Sequence, residues 1–244
     1  GKTRLVEEFR ATLNQQGFQF HWITAHSYGY TQNIPYAPLV GFLNWFWKIE
    51  EGDTTASVRR KLEAGVQSFL GPAPKVCSVL GSLYGADSPE RAGRSPELWK
   101  AELFTAIDQL MEAATRSKPT VIWLEDLHWA DTGTLDFVDH LLEWSRGLPI
   151  FVLTLARPEL LDRRPTWGAG KRSFASIHLE PLPESAMRAL LAGLVPGLPE
   201  SAVRTIVARA DGMPLYAVET VRMLLAEGRL ALDGDAYRMV GDLT

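Results

Sequence analysis

Val121-Ile122-Trp123-Leu124-Glu125-Asp126-Leu127-His128-Trp129-Ala130-Asp131 decides the reading of this chain. A run of apolar residues stops at two acids, and a third acid follows five residues on. Such a run reads as a strand buried on both faces of a parallel sheet. Acids at its carboxyl end lie where open α/β sheets bind ligands. Oxygen donors there suit magnesium, which takes one or two carboxylates and fills its shell with phosphate oxygens and water. The chain opens with Gly1-Lys2-Thr3, the last three positions of a phosphate-binding loop. Together the two stretches imply a nucleoside triphosphate site.

Each residue type has a physical reason to be there. A helix amino terminus offers unpaired N–H groups and positive dipole character to phosphates, and Gly1 and Arg4 flank that position. Lys2 adds a point charge for the β- and γ-phosphates, and the Thr3 hydroxyl can ligate magnesium. Gly-Lys-Thr alone is a weak signal that arises readily by chance. A following amphipathic helix, a strand after it and the acidic strand end downstream make it specific. In most NTPases Asp precedes Glu, the first acid holding the metal and the second orienting the attacking water. Here the order is reversed. Glu125 can still reach a metal through its longer arm, whereas Asp126 is short for the water-orienting role, which predicts slow hydrolysis.

No second His or Cys at ligand spacing supports a metal site at His128 and Asp131. His128 and Trp129 are therefore expected to pack the loop, and Asp131 to cap the helix that follows. Arg157 comes just after a second apolar run, where it can sense a third phosphate if the two strands are neighbours. Arg163, Arg164, Lys171 and Arg172 read as a solvated basic loop without a role. In Gly212-Met213-Pro214, Gly ends one helix and Pro starts the next at its first position.

The wider pattern is α/β. A helix is expected at 3–16, a strand at 18–25, helices at 39–47 and 56–70, short helical pieces over 71–93 and a long helix at 96–115. Strand 120–125, helix 133–145 and strand 149–155 form a βαβ unit, which argues for a parallel sheet flanked by helices. Residues 157–173 read as loop and 175–180 as a last short strand. After Pro181 only helices follow, at 183–194, 199–210 and 214–227. Asp233-Gly234 then suggests a hairpin with a type I′ turn. The expected organisation is a P-loop α/β core over 1–181, a small helical subdomain over 182–228, and the start of a further domain over 229–244. A chain that opens inside a motif without an initiator Met is expected to continue a longer protein. The first strand and the front of the loop then lie outside it, and the phosphate cradle is incomplete.

Composition removes several function classes. A hydrophobic fraction of 46% is ordinary for a globular chain, and no apolar run approaches a membrane span. The net charge of −4 gives no general attraction to nucleic acid or to acidic membranes. Cys77 is the single cysteine, so no internal disulfide exists and a cytoplasmic location is the natural expectation.

Gly-Lys-Thr-Arg-Leu-Val-Glu-Glu-Phe at 1–9, Ile-Pro-Tyr-Ala-Pro-Leu at 34–39, Leu-Glu-Asp-Leu-His-Trp-Ala-Asp at 124–131, Leu-Ala-Arg-Pro-Glu at 155–159 and Gly-Met-Pro-Leu at 212–215 together resemble the STAND class of AAA-related P-loop ATPases. The resemblance is to the ATPase module of large LuxR-type regulators and of class III adenylate or guanylate cyclases fused to ATPase domains. It implies that 1–181 is an ATPase core, 182–228 its helical lid and 229–244 the start of a winged-helix-like domain, with ATP and Mg2+ as cofactors. It also implies a nucleotide-controlled switch acting on the other domains of a parent chain, often with homo-oligomerisation. Nucleic acid would be met only through domains outside this chain. Lys2 and Thr3 match the family's phosphate and magnesium positions, Glu125 and Asp126 its acidic strand end and Arg157 its sensor arginine. Pro214 matches the proline that lies against adenine. The rival reading is a scaffold that binds nucleotide without hydrolysing it. A third, an origin-type DNA-loading ATPase, is disfavoured by the acidic balance. All three expect the opening lysine and residues 125 and 126 to serve one triphosphate.

Overall fold

The computed structural model describes residues 1–85, 94–171, 173–234 and 236–240. The chain divides into two compact units, residues 7–175 and residues 1–6 with 176–244. Helix α1 (Lys2–Gln15) belongs to both, its first turn falling in the second unit.

The larger unit is built on a three-stranded sheet in the order β1 (His21–His26), β2 (Thr120–Glu125), β3 (Ile150–Thr154). Both pairings are parallel, with His26 opposite Glu125 and Leu124 opposite Thr154. The apolar stretch 120–124 is therefore central and buried at every position, as a strand covered on both faces must be. One face turns Ile23, Ala25, Ile122 and Leu124 into the main core. There they meet residues of α2 (Ala37–Trp47), α3 (Thr55–Leu70), α4 (Pro74–Gly81), α5 (Pro96–Thr115) and α6 (Thr132–Trp144). The alternate positions carry aromatic rings. Trp22 meets Trp123 edge-on at 6.1 Å, Phe9 of α1 meets Phe151 at 5.9 Å, and the Arg10 guanidinium lies 5.0 Å from the Trp22 ring.

The helices start where the local chemistry allows it. Ser95 caps α5 by accepting from the Leu98 N–H at 3.2 Å, with Pro96 behind it. Thr54 caps α3 in the same way, and Gly71 ends that helix at φ 69°. Gly65, inside α3, has the Trp47 indole lying directly over its Cα, in the place a β-carbon would need.

The smaller unit packs α8 (Glu184–Leu194), α9 (Glu200–Ala210) and α10 (Pro214–Ala226) with a hairpin of β4 (Leu230–Asp233) and β5 (Ala236–Met239). Its separate core holds Met187, Leu191, Ile206, Ala217, Val221, Leu224 and Leu230. Asp233 pairs with Ala236, so Asp233 belongs to the strand and is not the first central residue of the turn. Asp235 lies outside the described residues, and so does the part of the 71–93 region from 86 to 93.

Two expectations fail. Residues 175–180 form no strand: the alternation of Ile177 and Leu179 is present, but both are exposed, Ile177 at 77%. Alternation supplies a strand only where a partner and a covered face exist. Within 157–173 the chain forms a helix, α7 (Glu159–Arg163), with acids in its first turn, Arg163 in its last and Leu160 buried as its anchor.

Candidate functional site

Glu125 is the last residue of β2, and its partly buried carboxylate lies against the end of β1, with Oε2 3.0 Å from His26 Nδ1. Parallel pairing puts His26 and Glu125 side by side at the same register. Asp126 then leaves the sheet at φ 52° and ψ 41°, a left-handed conformation. Aspartate tolerates that region better than most residues, at a cost on the order of 1 kcal/mol. The surrounding hydrogen bonds fix it. The Ser27 N–H donates to the Glu125 carbonyl at 3.0 Å, the Leu127 N–H to the Leu155 carbonyl at 2.8 Å, and the Trp129 N–H to the Asp126 carbonyl at 2.8 Å. Half of the Asp126 side chain is exposed. The site thus has one carboxylate held by a neighbouring strand and one presented to solvent from a constrained turn.

The residues after Asp126 lock the turn in place. Leu127 and Ala130 are each 1% exposed and join the core, and His128 is buried with them. The Trp129 ring covers the open side of Gly29, close to where a β-carbon would stand. Asp131 caps α6, accepting from the Thr134 N–H at 3.0 Å and from its hydroxyl at 2.5 Å. Gly133 makes room for Tyr36: a β-carbon there would lie 2.7 Å from the phenol ring. Tyr36 has a left-handed backbone and is buried. Burial, then Asp131 and Asp136, push its hydroxyl above the usual tyrosine value.

Arg157 follows β3 and is exposed. The Leu155 N–H donates to the Leu124 carbonyl at 2.8 Å, so the segment carrying Arg157 leaves the sheet from the same end as the two acids. Glu125, Asp126 and Arg157 all lie in the larger unit. Gly1, Lys2, Thr3, Arg4 and Pro214 fall in the smaller one. Lys2 is the first residue of α1 and, like Gly1, Thr3 and Arg4, is exposed at the amino terminus of this helix of 14 residues. The Gly1 carbonyl accepts the first helical bond, from the Leu5 N–H at 3.1 Å. Pro214 opens α10. Gly212 before it has φ 72°, and a β-carbon there would lie 2.8 Å from the Leu182 carbonyl oxygen. The Gly212 carbonyl accepts from the Leu182 N–H at 2.7 Å. A cleft of about 260 Å³ opens beside it, lined by Pro181, Leu182, Val207 and the acids Glu184 and Asp211.

Hard oxygen donors at the end of a central parallel strand fit a magnesium ion, which needs few protein ligands when phosphates supply the rest. Glu125 fits that role provided it exchanges His26 for the ion.

Sequence reasoning missed His26, Tyr36, Arg163 and Arg164. Arg163 and Arg164 are not simply solvated: Arg163 donates to the His128 carbonyl at 2.8 Å, and Arg164 pairs with Asp136 at 2.5 Å. Lys171 pairs with Asp139 at 3.3 Å, and Arg172 lies outside the described residues. Among the described residues no helix is long and apolar enough to cross a membrane.

A family model described as AAA ATPase domain matches residues 1–153. An uncharacterized protein of Rhizobium meliloti (strain 1021) is 27% identical over 109 residues, covering 44% of this chain and 10% of the relative. The match therefore spans about a tenth of that relative's length.

Proposed function

The chain belongs to the AAA ATPase domain family, and on that premise we propose that it is a STAND-class regulatory module that binds magnesium-ATP and hydrolyses it slowly. Lys2 holds the β- and γ-phosphates, with Gly1 and Arg4 beside it. Thr3 and Glu125 would hold the metal, which neutralises developing phosphate charge. Asp126 orients the attacking water, Arg157 reads the γ-phosphate, and Pro214 contacts adenine. Other domains of a larger multidomain regulator receive the signal, through a nucleotide-dependent change of state.

The observation that carries the reading is the pair at the end of β2. Glu125 is mostly buried at the carboxyl end of the central strand, and Asp126 leaves the sheet on a left-handed backbone with its side chain exposed, an arrangement that supports a metal ligand beside a water-orienting acid. Strained backbone of this kind gathers at functional sites. In the intact protein, Lys2→Ala should abolish magnesium-ATP binding measured by calorimetry. Asp126→Asn should keep binding and lose phosphate release. Unchanged affinity in the first variant, or unchanged turnover in the second, removes these assignments.

A second reading draws on a specific contact. His26 already occupies Glu125, and Asp126 is the shorter acid in the water-orienting place. A scaffold that holds nucleotide without turnover fits both facts. Phosphate release by the intact protein separates the two readings.

A further inference from the structure

The segment that carries Arg157 is tied to the acidic turn at both of its ends. At its start, Leu155 bonds to Leu124 through its N–H and to Leu127 through its carbonyl, each at 2.8 Å. The chain then runs through Arg157 into α7, whose first turn is closed by the Leu160 N–H on the Arg157 carbonyl at 3.1 Å. At the far end of α7, Arg163 Nη1 donates to the His128 carbonyl oxygen at 2.8 Å. The next residue, Arg164, pairs with Asp136 and reaches the Thr132 carbonyl at 3.4 Å, fastening α7 to the first turn of α6. Arg163 is thus an exposed side chain whose donor goes to the backbone of the turn beginning at Asp126. A charged donor on a carbonyl makes a stronger bond than a neutral one. That turn contains a left-handed aspartate, which persists only while its neighbours fix it.

We propose that Arg163 is a positioning residue: by holding the His128 carbonyl it fixes the turn that aims Asp126, and through α7 it couples that turn to Arg157. The inference rests on the reading of Asp126 as the residue that orients water. Its consequence is regulatory. A phosphate contact at Arg157 reaches Asp126 through one short helix, so the two respond together to the nucleotide.

The test uses the intact protein with Arg163→Ala, Arg163→Gln and Arg163→Lys, of which only the lysine keeps a charged donor. Phosphate release gives kcat and KM. Fluorine NMR of protein labelled with 5-fluorotryptophan reports the turn directly, the Trp129 resonance being identified by its loss in Trp129→Phe. Arg163→Ala and Arg163→Gln should lower kcat about tenfold, with KM for magnesium-ATP within about twofold of wild type. Both should move or broaden the Trp129 resonance, and Arg163→Lys should restore both readouts. An unmoved resonance, an unchanged kcat, or a loss that lysine does not rescue overturns the proposal. Wild-type protein that binds ATP and releases no phosphate instead refutes the reading of Asp126. In that case the Trp129 resonance still decides whether Arg163 fixes the turn.

Discussion

His26→Phe tests whether the contact at the end of β1 holds Glu125 back from a metal. The substitution keeps a flat ring where His26 now stacks on Tyr28 at 6.2 Å and approaches Trp123 at 6.1 Å, so packing is largely conserved. It removes the Nδ1 atom that lies 3.0 Å from Glu125 Oε2. The two side chains are 43% and 15% exposed, which places the contact between a surface pair and a buried one. Such a contact is worth about 0.5–1 kcal/mol after solvent screening. If Glu125 must give up His26 to hold magnesium, the wild-type protein spends that energy on binding and the variant does not. The affinity for magnesium-ATP should then rise about twofold to fivefold. ATP with magnesium removed by EDTA should bind both proteins equally, because Glu125 has no role in that complex. Calorimetric titration under the two conditions gives the comparison. A fall in magnesium-ATP affinity would mean that His26 orients Glu125 for the ion, and the competition argument would be wrong. An equal change with and without magnesium would place the effect on the fold instead.

Three further outcomes follow from packing and charge. Gly65→Ala should destabilise the larger unit by about 1–2 kcal/mol, because overpacking against the Trp47 ring outweighs the gain in helix propensity. Gly41→Ala, also inside a helix but with open space at the same point, should stabilise by about 0.5–1 kcal/mol. Urea unfolding followed by tryptophan fluorescence separates them, and equal midpoints would refute the argument. Asp53 accepts from the Glu50 N–H, Lys61 and Ser57, in that order of effect, which hold its carboxyl down at about 2 against an ordinary 3.8. A depressed acid stabilises the fold above its unfolded value and loses that contribution as pH falls through its folded one. Asp53→Asn should therefore flatten the decline in stability between pH 3.8 and about 2, read from midpoints measured across that range; a wild-type slope in the variant contradicts the assignment. Tyr36 has the opposite sign: its raised hydroxyl value means stability falls as pH rises above 10.0, and ultraviolet titration should show it lagging the exposed tyrosines.

The sequence carries the parts of this molecule that depend on short-range pattern. Thr120 to Leu124 reads as a doubly buried strand because five consecutive apolar or β-branched positions leave it no solvent face, and each is buried. Asp131 reads as a cap because its partner, Thr134, is three residues away. Lys2 at a helix start and the acids at a strand end are local signatures of the same kind. The pairing of His26 with Glu125 is not legible in this way. It follows from the register of two parallel strands with a long helical excursion between them, and one residue of slip would put another side chain there. Helix α7 is equally silent, since five residues are too few to show a helical period. Its arginines look like a solvated run until the fold brings His128 and Asp136 to them. The reverse failure at 175–180 has the same root, because alternation states which side of a strand is apolar and not whether a neighbour exists.

This division bears on how the site works. The residues proposed to carry chemistry are readable because phosphate and metal contacts require particular atoms at strand and helix ends, and those ends are marked locally. What controls those residues is held in long-range contacts: His26 on Glu125, Leu155 on the turn, Arg163 on the His128 carbonyl. None of these touches the site's substrate in the proposed mechanism, yet each sets the conformation of a residue that does. A chain with the same two acids but without His26 and Arg163 would keep the donor set and lose the restraint. Its Glu125 would be freer for a metal, and its Asp126 would drift from the left-handed turn toward ordinary backbone. Such a chain should bind magnesium more readily and use it less well. On this argument the slowness proposed for hydrolysis lies in how Glu125 and Asp126 are held as well as in the reversed order of the two acids. His26→Phe and Arg163→Ala act on opposite sides of that balance, one on binding and the other on turnover, and combined in one protein their effects should depart from additivity because the two carboxylates they restrain are adjacent in one turn.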